Sequence, residues 1–312
     1  VGDYTLTQQD VEEGKHFKDE VAYGGWQIDN HLPGGFAMSG QDGAHLQKKR
    51  LTEPYGIPLR SLYSKNIANL MFAGRNISAT HIAFASVRVM GTCGIMGQAV
   101  GTAAALMTKY GLSACQLCSE KIEELQDILM EDDCFLPSCR RKISSLCNSK
   151  TLSAEWGDAS LLLNGIERKI WGNDNGYWGM CNRAITYTFD KKRHISEFRL
   201  IVDSDLDREY TEGNPAVLNI SATLFRRLDY NYTSFGFPKC MLKSFKLEAL
   251  TENNEWQTVF ETDNNYQRMI RRPLNVETTA IRLIPINTYL SEQLGVSTYG
   301  SAQAHIFAFE VR

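Results

Sequence analysis

The sequence predicts an α/β first half and an all-β second half, meeting near residue 150. Three observations carry this division. A short apolar run at residues 70–73 stops at Gly74 and is followed by a Gly/Ala/Met-rich helical stretch over residues 91–110. After about residue 155 apolar and polar residues alternate in short runs separated by turn signals. Between the two textures, residues 144–153 form a polar joint. A chain of 312 residues fits two domains of about 100–200 residues each. The expected domains are 1–150 and 151–312.

Composition excludes several classes. With 14 Phe, 13 Tyr and 5 Trp against a net charge of -3, the chain is too apolar for general disorder. No window approaches about 18 uninterrupted apolar residues, so no membrane span is expected. The 33 Lys+Arg face 36 Asp+Glu, which gives nucleic acid no basic surface. Val1 is not a start methionine and residues 1–9 lack a signal-peptide pattern, so the chain reads as a fragment of a longer protein. Its compartment is not assigned from this end.

Each element follows from local chemistry. Residues 1–60 are punctuated by Gly24-Gly25, Pro33-Gly34-Gly35, Gly40, Gly43, Pro54, Gly56 and Pro58 and read as loop-rich. The run Leu70-Met-Phe-Ala73 reads as a buried strand ended by Gly74. Gly111 is placed to cap the helix over 91–110. Ile122, Leu125, Ile128 and Leu129 recur at helical spacing, predicting an amphipathic helix over 120–130, and Pro137 stops it. Strands are expected at 184–189, 197–202, 244–249, 279–284 and 305–310, the pattern of a β-sandwich or jelly roll.

Eight cysteines stand at positions 93, 115, 118, 134, 139, 147, 181 and 240. Cys115-Gln-Leu-Cys118 has C-x-x-C spacing, but no second such pair or His pair accompanies it. Reduced thiols are therefore favoured over zinc or disulfides, and no metal is assigned.

The densest chemistry lies in residues 69–106. A strand end at Ala73-Gly74 lets a ligand approach the backbone, and Arg75 is a fixed cation suited to phosphate or carboxylate. Gly91, Gly94, Gly97 and Gly101 put small residues on the first turns of a helix whose free N–H groups favour an anion or a carbonyl oxygen. From pattern alone a tightly packed core helix is the competing reading.

Residues 55–106 resemble the C-terminal block of a family of bacterial FAD-dependent oxidoreductases, some labelled putative xanthan lyases. The resembling pieces are Ile57-Pro-Leu-Arg-Ser-Leu-Tyr63, Asn69-Leu-Met-Phe-Ala-Gly-Arg75, Ile77-Ser-Ala-Thr-His81, Ser86-Val-Arg-Val-Met90 and Gly97-Gln-Ala-Val-Gly-Thr-Ala-Ala-Ala105. Upstream, Tyr23-Gly-Gly-Trp-Gln-Ile-Asp-Asn-His-Leu-Pro33 also looks like that family, extending the likeness over roughly residues 20–140. The resemblance implies part of a glutathione-reductase-like fold in which Gly74, Arg75, Ser78, Gly97 and Gln98 contact FAD. The family's N-terminal dinucleotide fingerprint is absent, because no G-x-G-x-x-G occurs in the 312 residues. The chain is thus expected to be the C-terminal portion of the enzyme, inactive alone and binding FAD weakly or not at all.

Flavin oxidation requires a proton acceptor and often a cation for an anionic substrate. The candidates are His81, His31, Asp29, Arg60 and Arg88, with Trp26 as a substrate contact. His81 and His31 are the possible bases, each weighed against a structural role. No G-x-S-x-G elbow supports nucleophilic hydrolysis, and nothing in the sequence supports a lyase.

Residues 155–312 resemble, more weakly, the galactose-binding-like β-sandwich. Leu163-Asn-Gly-Ile-Glu-Arg-Lys-Ile-Trp171, Ile185-Thr-Tyr-Thr-Phe189 and Trp256-Gln-Thr-Val259 carry that likeness. Trp171-Gly-Asn-Asp-Asn-Gly-Tyr-Trp178 mixes aromatic, amide and carboxylate groups, the chemistry that stacks and hydrogen-bonds a sugar. Trp171 and Trp178 are the candidate sugar contacts, with core packing as the competing role. Two functions follow as expectations. One is an FAD-dependent oxidoreductase acting on a small-molecule or carbohydrate substrate. The other is a non-catalytic carbohydrate-binding module on a vestigial flavoprotein scaffold.

Overall fold

The computed structural model describes residues 1–30, 47–49, 51, 53–170, 172–204, 240–294 and 302–312. These divide into two compact units, Val1–Lys142 and Ile143–Arg312, each with its own apolar core.

Unit 1 opens with α1 (Gln8–Glu12), started by a reciprocal cap in which Thr7 Oγ1 accepts from the Asp10 N–H and the Asp10 carboxylate accepts from the Thr7 N–H. The glycine- and proline-punctuated stretch that follows contains short strands as well as loops. β1 (Glu20–Gly24) pairs antiparallel with β4 (Tyr55–Pro58), and β2 (Ile28–Asn30) pairs with β3 (Gln47–Lys49). The strand expected at residues 70–73 is reduced to one bridge, Met71 to Tyr63, and Leu70 is 41% exposed. Its backbone is joined to the 62–63 segment, the Phe72 N–H reaching the Leu62 carbonyl at 2.7 Å. Among the described residues no strand flanks its other side, so no ladder extends it.

Helices form the rest. α2 (His81–Val87) and α3 (Met90–Tyr110) meet at 92° across Arg88-Val89. No single described helix is long and apolar enough to cross a membrane. α3 buries Thr92, Met96, Ala99, Ala103 and Leu106, a stripe at i+3/i+4 spacing, and ends at Gly111 with φ 65°. α4 (Ala114–Glu120) begins with a Ser113/Gln116 capping box. α5 (Ile122–Glu131) buries Ile122, Leu125 and Leu129 as the spacing predicted. α3 packs against β1, α4 and α5.

Unit 2 is one curled antiparallel sheet. Its strands are β5 (Leu152–Ala154), β6 (Tyr177–Met180), β7 (Ile185–Val202), β8 (Leu242–Leu250), β9 (Trp256–Thr262), β10 (Met269–Thr288) and β11 (Gln303–Val311), with the short helix α6 (Tyr289–Leu294) before β11. The order is β6-β11-β7-β10-β8-β9, and β5 joins β7 at the end opposite to β11. The two strands expected at 184–189 and 197–202 are the ends of a single 18-residue strand, β7. No Gly, Pro or Asn interrupts residues 190–197, so the polar middle stays extended and largely faces solvent. Bulges between Pro273/Val276 and Thr278/Ala280 bend the β7–β10 ribbon and give the sheet its jelly-roll-like curl.

The C-terminal part of β7 is buried on both faces. Phe198, Leu200 and Val202 enter the main core, while Ile201 packs with Phe307 and Ala308. On that second face Arg199 is 1% exposed and makes two hydrogen bonds, of 2.6 and 2.8 Å, to the two carboxylate oxygens of Glu167. Burial of one charge without the other is strongly unfavourable. Arg199→Met should therefore lower stability by about 3–5 kcal/mol in urea unfolding, whereas a loss below about 1 kcal/mol would show the carboxylate to be solvated.

Candidate functional site

In unit 1 the site is built on a turn and two helix ends. Gly74 has φ +117°, a left-handed conformation that L side chains rarely adopt, and the Ile77 N–H closes the turn on the Gly74 carbonyl at 3.1 Å. A Cβ at Gly74 would lie 3.7 Å from both Cβ and Sγ of Cys93, so the turn rests on the first turn of α3. Arg75 is exposed, with its guanidinium 5.5 Å above the Phe84 ring on α2. Gly74, Arg75, Phe84 and Cys93 thus meet where α2 turns into α3.

The start of α3 is uncapped. Val89, at the N-cap, supplies no side-chain hydrogen bond, and the Cys93 N–H bonds the Val89 carbonyl. The preceding amides are the donors that a helix start presents to an anion or carbonyl oxygen. The outer face of α3 carries Gly91, Gly94, Gln98, Gly101, Ala104 and Ala105, all exposed, and Gly97 is half-buried. A Cβ built on Gly91, Gly94, Gly97 or Gly101 meets nothing within 4 Å. Glycine inside a helix costs about 0.8–1 kcal/mol relative to alanine, and four of them on an open face leave a shallow, uncharged cradle.

The other predicted residues fall into distinct settings. Arg88, between α2 and α3, donates from Nη2 to the Asp29 carbonyl at 3.1 Å and lies 3.4 Å from Asp29 Oδ2. Two candidate catalytic residues are thereby joined, and β2 is tied to the α2–α3 corner. Arg60 is engaged elsewhere: its Nε and Nη2 each donate to the Asp19 carboxylate at 2.9 Å. Ser78 is buried, its Oγ 3.1 Å from Thr5 Oγ1 and its backbone bonded to Ser61 and Leu6, so it ties chain segments together. His81 opens α2 and is exposed. The Trp26 carbonyl accepts from Ser86 Oγ, which also bonds the buried Tyr55 hydroxyl at 2.8 Å. Burial pushes the Tyr55 hydroxyl pKa well up, so it stays protonated. His31 lies outside the described residues.

In unit 2 the aromatic-amide segment forms a second cluster. Trp178, on β6, is 37% exposed and stacks parallel to His305 of β11, with ring centroids 4.2 Å apart. The register pairs these two residues directly across the sheet. Trp178 Nε1 donates to Asp174 at 2.8 Å. The fully buried His305 ring lies between carboxylates, Nδ1 2.7 Å from Asp203 Oδ2 and Nε2 2.7 Å from Asp174 Oδ1. Lys169 Nζ approaches Asp203 at 3.4 Å. Gly176 is required here, because a Cβ would fall 2.1 Å from His305 Nε2. Trp171 lies outside the described residues. Sequence reasoning found Trp178 but missed His305 and Asp203, which only strand register brings beneath it.

Residues 1–129 match the family model of the FAD dependent oxidoreductases. This bears out the family resemblance carried by the AGR turn and the small-residue helix. Among curated proteins, none matches this chain. The chain is similar to the family 32 carbohydrate-binding module of Streptococcus pneumoniae EndoD, with 11% identity over 51% of this chain and 92% of that one and a TM-score of 0.32. It is similar also to the family 32 module of C. perfringens NanJ, solved with galactose, at 12% identity over 52% and 91% and a TM-score of 0.31. A chitosan-binding module from a Paenibacillus chitosanase/glucanase aligns at 10% identity over 54% and 98%, with a TM-score of 0.31.

The open face of α3 makes a stability prediction. Gly94→Ala and Gly101→Ala should each raise stability by about 0.5–1 kcal/mol in thermal unfolding of the unliganded chain. Destabilisation by either would mean that the face is already covered.

Proposed function

We propose that unit 1 forms the flavin-facing wall of an FAD-dependent oxidoreductase that takes hydride from an organic substrate. The observation that carries this reading is the Gly74 turn seated on the uncapped first turn of α3, within the family-matched segment. The cradle fits a flat ring, since no Cβ fills it and no charged side chain stands on it. When bound, FAD supplies the ring that accepts the hydride.

This chain's residues would then divide the work. The α3 amides meet carbonyl oxygen or negative charge on the ring, and Gly91, Gly94 and Gly97 leave room for its plane. Arg75 faces outward to meet phosphate or carboxylate. His81, exposed at the start of α2, takes the substrate proton, and the Arg88–Asp29 contact positions β2 beside it. Gln98 lies one helical step beyond Gly97 on the exposed face and extends the polar contacts. Ser78 and Arg60 support the fold around these groups. The ADP half of FAD needs a G-x-G-x-x-G turn, which these 312 residues do not contain.

A flavin titration of the full chain tests this reading. FAD fluorescence quenching should reveal only weak binding, and Gly97→Leu should weaken it at least tenfold, about 1.4 kcal/mol, with helix content unchanged. Binding unaffected by Gly97→Leu would overturn the assignment of this face, and stoichiometric flavin on the purified chain would overturn the expectation of weak affinity.

A second reading concerns unit 2, where the Trp178 ring is partly exposed and held in place by His305 and Asp174. We propose that it is a stacking platform for a sugar ring, which makes a carbohydrate-related substrate the favoured one for the whole protein. Trp178→Ala should abolish glycan-array binding while leaving the far-ultraviolet spectrum unchanged. Sugar binding that survives the substitution would return Trp178 to a packing role. Sugar binding without any flavin binding would favour the non-catalytic module.

A further inference from the structure

The C-x-x-C pair on α4 is not used by either reading, and its surroundings differ at the two sulfurs. Cys115 is exposed, whereas Cys118 is half-buried and packs against the core of the unit. Cys118 Sγ lies 3.6 Å from Oδ2 of Asp19, to which its S–H is donated. Asp19 is itself buried, its side chain 8% exposed, and is held by the Arg60 guanidinium at 2.9 Å on both carboxylate oxygens. The inner thiol therefore has a fixed acceptor and the outer thiol faces solvent.

We propose that Cys115 and Cys118 form a thiol–disulfide exchange site whose substrate is an external disulfide. Residues three apart on a helix are neighbours about 5–6 Å apart at Cβ, somewhat more than the roughly 3.5–4.5 Å that a disulfide spans there, so the turn has to tighten for the bond to close. Tightening one turn towards 3-10 geometry brings i and i+3 side chains into line. α4 is only seven residues long and breaks at Lys121, so the adjustment stays local.

The exchange runs in two displacements. The Cys115 thiolate attacks one sulfur of R–S–S–R, the S–S bond breaks, and RS⁻ leaves and takes the proton that Cys115 lost. Cys118 then attacks the Cys115 sulfur, its proton passing along the existing S–H···Oδ2 contact to Asp19. The second RS⁻ leaves and collects that proton. The chain's two thiols are oxidised to one disulfide, and the external disulfide is reduced to two RSH. Burial, then the Asp19 charge, pushes the Cys118 thiol up to about 12, which keeps it protonated until a mixed disulfide is beside it and assigns first attack to Cys115. A disulfide within a helical turn is strained and hence readily reduced again, as exchange requires.

The assay uses the full chain, glutathione disulfide as the probe, and peptide-resolved mass spectrometry. The native chain should end with a Cys115–Cys118 disulfide and no glutathione retained on either residue. Cys118→Ser should retain one glutathione on Cys115, and Cys115→Ser should slow reaction at position 118 at least tenfold. Urea should abolish the preference for this pair over the other thiols. Asp19→Asn should leave capture by Cys115 unchanged but slow the second displacement about tenfold, because the proton acceptor is lost, and shift its pH profile downward, because the charge that raises the Cys118 thiol is gone, a split that a purely structural Asp19 would not produce. Glutathione retained on Cys115 of the native chain, or equal rates at position 118 with and without Cys115, would overturn the proposal. The outcome is independent of flavin or sugar binding.

Discussion

The contact between the Gly74 turn and the first turn of α3 is the constraint on which the rest of unit 1 depends. A left-handed backbone at Gly74 sets the turn beside Cys93, which an added Cβ would just touch, and no larger residue takes that conformation without strain. The same turn aims Arg75 outward over Phe84 and sends the chain on to α2. α2 and α3 then meet nearly at right angles, and no Val89 side-chain bond caps the amide end of the longer helix. Arg88 holds that corner by gripping the backbone and carboxylate of Asp29.

Unit 2 solves a different problem. Its strands β7 and β10 are long enough to serve two parts of the sheet, and their bulges let the apolar side chains converge on a single core. The second face of β7 is then too crowded for solvent, and charges placed there have to neutralise one another, as Arg199 and Glu167 do. At the β6–β11 edge the same antiparallel register sets an imidazole directly beneath an indole, with carboxylates at both ring nitrogens. The indole is thereby held on one face by the imidazole and at Nε1 by Asp174.

Periodicity made much of this architecture legible. The helix over 91–110 with its Gly111 end, the amphipathic helix after residue 120 and all five expected strand regions appear where spacing put them. Local pattern failed where long-range pairing decides. Residues 70–73 have the composition of a buried strand but only the 62–63 segment to pair with. The charged residues 190–194 resemble a turn by polarity, yet they hold no Gly, Pro or Asn and continue β7. Around the candidate sites, Gly74, Arg75 and the α3 glycines could be found because their chemistry is local in sequence. Cys93 as the wall of the turn, Asp19 beside Cys118 and His305 under Trp178 could not, because each is a contact between distant segments.

The position of β11 has a consequence for how the second unit comes into being. It is the last strand in sequence, yet it lies between β6 and β7 and is almost wholly buried. During synthesis, β6 and β7 emerge about a hundred residues or more before the partner that separates them. Until that partner arrives, each has an unfilled ladder edge of the kind that invites pairing with a foreign chain. The sheet must therefore close late, and its most delicate moment falls on the ribosome rather than in the finished protein.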